Sequence, residues 1–180
     1  MKIKKIQIRD SLNLKNEFFG KIYIGHVKNN KPHGKGYIKQ GELDKFNNIS
    51  WIGKTILKKG TFKDGYLEKG TVNEFLKIFD GTLKNKERTG KGKLRYIHKN
   101  GKSYQEYIGE VRLHKGYGYV PHGNGKLTHY NGGISLGKFV NGLLKKGKIK
   151  WGSNKKWELF PSKKVINYHR GNINKRLKKL

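Results

Sequence analysis

The sequence predicts an all-β fold: an elongated, twisted sheet of about five repeated β-hairpins with a basic C-terminal extension. Three observations carry that expectation. First, a glycine-centred pattern recurs: Tyr23-Ile24-Gly25-His26-Val27 is answered by Tyr107-Ile108-Gly109-Glu110-Val111, and more weakly by Gly60-Thr61-Phe62, Gly81-Thr82-Leu83 and Gly137-Lys138-Phe139. Second, each copy is followed by a polar stretch and further glycines, at Gly34 and Gly36, Gly70, Gly90 and Gly92, Gly123 and Gly125, and Gly147. Third, the composition is 33% hydrophobic, 30% charged and 12% aromatic, with 25 glycines in 180 residues. That is too little apolar material for one large core but enough for hairpins sharing a narrow one, and too regularly aromatic for a disordered chain.

The elements follow in order. Residues 1–16 read as a basic N-terminal strand in which Ile3, Ile6 and Ile8 are interleaved with Lys2, Lys4 and Lys5. Residues 17–152 hold the repeats, with the first glycine of each unit at 25, 60, 81, 109 and 137. The long first gap contains Trp51-Ile52-Gly53, which reads as a degenerate extra strand. In the first unit Tyr23, Gly25 and Val27 share one strand face, and Ile24 and His26 the other. The run Lys28-Asn29-Asn30-Lys31-Pro32 makes the turn, since Asn and Pro supply unusual backbone angles at low cost. The second strand is expected to open at Gly34-Lys35-Gly36 and to continue through Tyr37 and Ile38. In the fourth unit, Lys115 to Pro121 is expected to lengthen the turn. Glycine weakens a strand unless a neighbouring ring covers the bare backbone, and each unit places an aromatic or aliphatic residue within reach. At ~4.8 Å per strand, five two-strand units give a sheet on the order of 50 Å long.

Residues 153–180 form a capping segment and a basic tail. Trp157, Leu159, Phe160 and Pro161 are placed to close the open end of the sheet, and Ser162 to cap the start of a helix.

Residues 23–37, from Tyr23 through His33-Gly34-Lys35-Gly36 to Tyr37, resemble the MORN (membrane occupation and recognition nexus) repeat, which runs Tyr-x-Gly-x-Trp/Phe, a polar turn, then His-Gly-x-Gly. Segments 79–96 and 107–130 are similar to it, and 60–72 and 137–151 are similar in shortened form. The chain departs from the family pattern in its wider spacing and in the Glu before Trp, kept only as Glu110. The resemblance implies a hairpin sheet acting as a scaffold, at membranes in some members and fused to enzymatic domains in others.

Charge is the second large feature. Lys and Arg number 42 against 12 Asp and Glu, a net charge of +30, of which +4 lies in residues 1–16, +18 in 17–152 and +8 in 153–180. Such an excess weakens the compact state by self-repulsion and points to a polyanionic partner. The candidate contact residues are Lys2, Lys4 and Lys5 at one end and Lys155, Lys156, Lys163, Lys164, Arg170, Lys175, Arg176, Lys178 and Lys179 at the other. RNA is expected ahead of DNA, with neighbouring proteins of a ribosome-like nucleoprotein assembly, because no groove-reading motif is present. Tyr117 and Tyr119, beside Lys115, offer base stacking, although their periodic placement favours packing. Two alternatives stand beside this reading: a membrane-surface scaffold binding anionic phospholipids, and a protein-only scaffold docking on an acidic partner.

Other classes find little support. There is no cysteine, hence no disulfide framework. No apolar run approaches the roughly 20 residues of a membrane span, and the N-terminus lacks the pattern of a secretory signal, so an intracellular location is expected. Gly142 to Lys148 fits a phosphate-binding loop up to Ile149, where Ser or Thr is required, and lies between two strands instead of before a helix. His33 and His122 occupy equivalent positions before Gly-x-Gly, which favours a turn or packing role over metal binding. No catalytic constellation stands out, and neither enzymatic activity, cofactor nor metal is expected.

Overall fold

The structure, a computed structural model, describes residues 3–8, 19–43, 49–50, 56–74, 76–98, 102–152 and 156–161. Among these residues all regular structure is β: β1 (Ile3–Ile8), β2 (Phe19–Lys28), β3 (Lys31–Leu43), β4 (Ile49–Ser50), β5 (Ile56–Lys63), β6 (Tyr66–Glu74), β7 (Lys77–Lys84), β8 (Thr89–Ile97), β9 (Ser103–His114), β10 (Gly118–Thr128), β11 (Ile134–Val140), β12 (Leu143–Lys150) and β13 (Trp157–Phe160). The chain divides into two compact units, Met1–Lys91 and Gly92–Leu180. In the first, the strand order is β1-β2-β3-β5-β6-β7 with β4 beside β3; in the second it is β8-β9-β10-β11-β12-β13.

The glycines picked out by the repeat stand in rows. In the first unit Gly25 pairs with Gly36, Gly36 with Gly60, Gly60 with Gly70 and Gly70 with Gly81, so one rung crosses five strands without a side chain. The second unit repeats the row as Gly109, Gly125, Gly137 and Gly147, ending on Phe160 of β13. Gly60 and Gly70 show why the row must be bare. Both lie at positive φ, +154° and +147°, and a Cβ on either would strike the facing backbone carbonyl, Lys69 from Gly60 and Lys59 from Gly70, with the opposite glycine Cα only 2.7 Å away.

A tyrosine covers the bare backbone, as the sequence suggests. The Tyr23 ring lies over Gly36, and its hydroxyl donates to the carbonyl of His26 at 2.8 Å. Tyr107 does the same over Gly125, donating to the carbonyl of Glu110 at 2.9 Å. Each tyrosine meets a phenylalanine two strands away, edge to face: Tyr23 with Phe62 and Tyr107 with Phe139, both with ring centroids 5.1 Å apart. Such pairs contribute about 1 kcal/mol beyond the area they bury. Around them Ile38, Leu67, Val72 and Phe79 complete the first core, and Val111, Leu127 and Ile149 the second.

Two kinds of hairpin recur, one of each in both units and in the same order. The short kind obeys one template, Gly-x-Phe-x-Asp/Asn-Gly-x-Leu-x-x-Gly, at Gly60–Gly70 and again at Gly137–Gly147. Its two-residue turns, Asp64-Gly65 and Asn141-Gly142, have positive φ at both positions, as type I′ hairpin turns require. In each, the register slips just after the phenylalanine's predecessor, so that Phe62 faces Leu67 and Phe139 faces Leu144. Both segments form complete hairpins. The long hairpins are β2–β3, turning at Asn29-Asn30, and β9–β10.

Four expectations need correction or fall outside the described residues. The segment Lys115 to Pro121 lengthens the turn by only one residue: His114 already pairs with Gly118, where Lys28 pairs with Lys31 in the first unit, and Val120 and Pro121 sit in the β10 ladder, so the other residues lengthen the strands. The second strands begin before Gly-x-Gly, at Lys31 and Gly118, because the turns are tighter than the polar runs around them. Trp51-Ile52-Gly53 and the helix expected from Ser162 lie outside the described residues.

The close glycine rungs make a sharp prediction. Gly60→Ala should cost about 3 kcal/mol in urea unfolding, because the methyl group meets backbone that cannot move away. Gly65→Asn, where an added Cβ meets nothing within 4 Å but φ is +96°, should cost less, about 1 kcal/mol.

Candidate nucleic-acid interface

Strand alternation puts the glycine rows and their covering rings on one face and the lysines on the other. On the outer face of the first unit two rows run across the strands. One reads Lys35, Thr61, Lys69, Thr82 and the next Tyr37, Lys59, Thr71, Asp80. Lys35, Lys59 and Lys69 are exposed. Lys35 and Lys69 lie two strands apart, about 10 Å, with a threonine hydroxyl between them. A polyanion laid along the first row thus meets cations alternating with neutral hydrogen-bonding groups, while the second row ends on the Asp80 carboxylate. In the second unit Lys138 stands in register with Lys146 on the same outer face, and both are exposed.

These lysines are not the ones the sequence singles out. Of the predicted contacts, Lys4 is exposed on β1, Lys5 pairs through its backbone with Ile24, and Lys156 is exposed just before β13. Lys2, Lys155, Lys163, Lys164, Arg170, Lys175, Arg176, Lys178 and Lys179 lie outside the described residues. The signal for the missed set is period-two alternation, Lys59-x-Thr61-x-Lys63 beside Lys58-x-Gly60-x-Phe62, which assigns one series outward and the other inward.

Lys58 is a cation turned inward. Lys58, on the glycine-bearing face, pairs with the carboxylate of Glu87, which is 8% exposed and also accepts from the backbone N–H of Leu67 at 2.6 Å. That N–H belongs to the β5–β6 register slip, so the acid caps a donor the slip displaces. To reach it, Asn85, Lys86 and Glu87 take three consecutive positive-φ conformations.

The Pro-His-Gly segments act as latches. The Pro32 carbonyl accepts from Gly65 N–H at 2.9 Å, and the His33 imidazole lies 3.6 Å from the Asp64 carboxylate. In the second unit Pro121 accepts from Gly142 N–H at 2.8 Å, and His122 Nδ1 faces the Asn141 N–H at 3.5 Å. Each Pro-His-Gly segment therefore holds the turn of the next hairpin.

A Gln105–His129–Ser135 chain has the outline of a catalytic triad, with His129 Nε2 2.9 Å from Ser135 Oγ and Nδ1 3.3 Å from the Gln105 amide nitrogen. The polarity is wrong for nucleophile activation. An amide donating to Nδ1 leaves the imidazole proton on Nε2, where it is donated to Ser135, a side chain that is itself buried. Gly142 to Lys148 forms half a turn and most of β12, so its N–H groups serve the sheet, and the chain runs on as strand to Lys150. Among the described residues, no cluster of three or more His, Asp or Glu could hold a metal, and no helix is long and apolar enough to cross a membrane. Tyr119 is buried, whereas Tyr117 is 65% exposed with His114 5.2 Å from its ring, so only Tyr117 is presented for stacking.

Burial pushes the Tyr23 and Tyr107 phenols above their ordinary range, helped at Tyr107 by the Glu110 carboxylate and by Tyr96. Tyr96 is pushed up to about 12, by burial and then by Tyr104.

Comparison with known proteins agrees with this architecture. The family model described as the MORN repeat matches residues 23–38, 79–97 and 117–134, which fall on β2–β3, on β7–β8, and on β10 with the loop up to the first residue of β11. No curated protein matches the chain.

The raised phenols set the sign of an alkaline effect. Below about pH 10, the ordinary tyrosine value, the phenols are neutral in both states. As pH rises past that value the unfolded chain loses protons that the folded chain keeps, so stability falls. Tyr107→Phe should cost about 1 kcal/mol at pH 7 through the lost hydrogen bond and should make the fall between pH 9 and 11 shallower, as measured by urea midpoints.

Proposed function

Since the chain carries MORN repeats in three segments, we propose that it is a non-enzymatic scaffold that binds RNA and serves as a structural component of a nucleoprotein assembly. The observation that carries this reading is the outer face of the first unit, where exposed Lys35, Lys59 and Lys69 stand among threonines in cross-strand register. The net charge of +30 supports it. Lysines held on a pleated face neutralise phosphates and release counterions, an attraction largely indifferent to base sequence. Tyr117 adds an exposed ring on which a base can stack, and stacking is likewise tolerant of sequence. The basic segment from Lys163 to Lys179 supplies further charge to the same partner.

The test is a salt titration against a single-stranded 20-nucleotide RNA. The logarithm of the affinity should fall linearly with the logarithm of salt concentration. The variant K35Q/K59Q/K69Q should reduce the slope by about 2, at roughly 0.7 per phosphate contact, and removing residues 162–180 should reduce it by several units. A chain that retains no RNA at low salt would overturn the proposal.

A further inference from the structure

The outer face of the second unit is chemically unlike that of the first. One row, in register across five strands, reads Ile108, Lys126, Leu136, Lys148, Leu159. Ile108 is 49%, Leu136 38% and Leu159 76% exposed, and both lysines are exposed. In the next row Trp157 is 43% exposed, with the Lys148 ammonium 4.8 Å from its ring centre. Scattered aliphatic side chains on a surface need no explanation, but a straight row of them alternating with cations marks an interaction site.

Spacing and charge identify what fits it. Ile108, Leu136 and Leu159 lie on every second strand, about 10 Å apart. Seven residues of an α-helix advance about 10.5 Å. A helix lying across the strands therefore brings the apolar residue of each successive heptad onto each successive aliphatic side chain, and places its flanking residues over Lys126 and Lys148. A strand added to the sheet edge would run parallel to β13 and meet this row once. The flanking positions must be acidic. A second copy of this chain, at +30, is repelled, and so is its own basic segment from Lys163 to Lys179. A nucleic acid would satisfy the lysines but set its phosphates against three aliphatic side chains.

We propose that the outer face of the second unit docks an acidic amphipathic α-helix of a partner protein. The helix lays one apolar residue per heptad on Ile108, Leu136 and Leu159 and pairs its carboxylates with Lys126 and Lys148. This site is separate from the lysine–threonine face of the first unit and does not depend on RNA binding there.

The probe is a fluorescein-labelled 22-residue peptide with leucine at every seventh position flanked by glutamates, titrated with the full chain at 150 mM salt and read by anisotropy. Saturable one-to-one binding is expected. I108N and L136N should each weaken it about tenfold, and L159N, on the most exposed position, provides a version with little risk to folding. K35Q/K59Q/K69Q should leave peptide binding unchanged while flattening the RNA salt slope, so the two proposals fail separately. Equal binding of a scrambled peptide of the same composition would reduce the site to net charge and overturn the proposal. So would indifference of the peptide to all three aliphatic substitutions. Finally, phosphatidylserine vesicles that bind the chain and lose it on I108N, while the peptide does not bind, would reassign the face to a membrane surface.

Discussion

The rest of the structure depends on the approach of neighbouring strands at the glycine rungs. Where Gly60 faces Gly70, or Gly137 faces Gly147, a single methyl group would meet backbone atoms that have nowhere to go. Gaining that approach has a cost, since glycine loses more conformational freedom on folding than any other residue. The cost is offset by rings packed where side chains are missing. Tyr23 and Tyr107 lie over the bare segments, tie their hydroxyls to carbonyls three residues on, and meet Phe62 and Phe139 edge to face. A chain with only 33% hydrophobic residues can thereby keep Tyr23, Tyr107, Phe62, Phe79 and Phe139 fully buried.

With the glycines and their covering rings committed to one face, strand pleating turns the other toward water. This is how so strong an excess of lysine is accommodated: most cations on the described strands point to water, and Lys58, which does not, meets the buried carboxylate of Glu87. Buried acids paired this way stabilise only when their remaining lone pairs are also used, and the Leu67 N–H uses one. The two outer faces then diverge in character, threonine accompanying lysine in the first unit and aliphatic residues accompanying it in the second.

The fold was largely legible because its constraint is local and periodic. Tyr-x-Gly and Gly-x-Gly announce both the rung and the ring that covers it, and Asn29-Asn30 announces a turn. The short hairpins were legible too, but only by aligning Gly60–Gly70 with Gly137–Gly147; compared with the longer units they look truncated. The candidate interface was harder to read. Charge density draws attention to the C-terminal segment, whereas the outward lysines of β3, β5 and β6 come together only through registers that slip once per hairpin. The Glu87–Lys58–Leu67 contact joins three separate strands or turns and has no signature along the chain.

The Pro-His-Gly latch has an architectural corollary. Because Pro32 holds the Gly65 turn and Pro121 the Gly142 turn, a long hairpin and the short one after it share a main-chain hydrogen bond that neither possesses alone. The indivisible module of this protein is consequently a couplet. Removing one member would strand a carbonyl or an amide of the survivor, whereas a whole couplet could be duplicated or excised with every such bond carried along inside it.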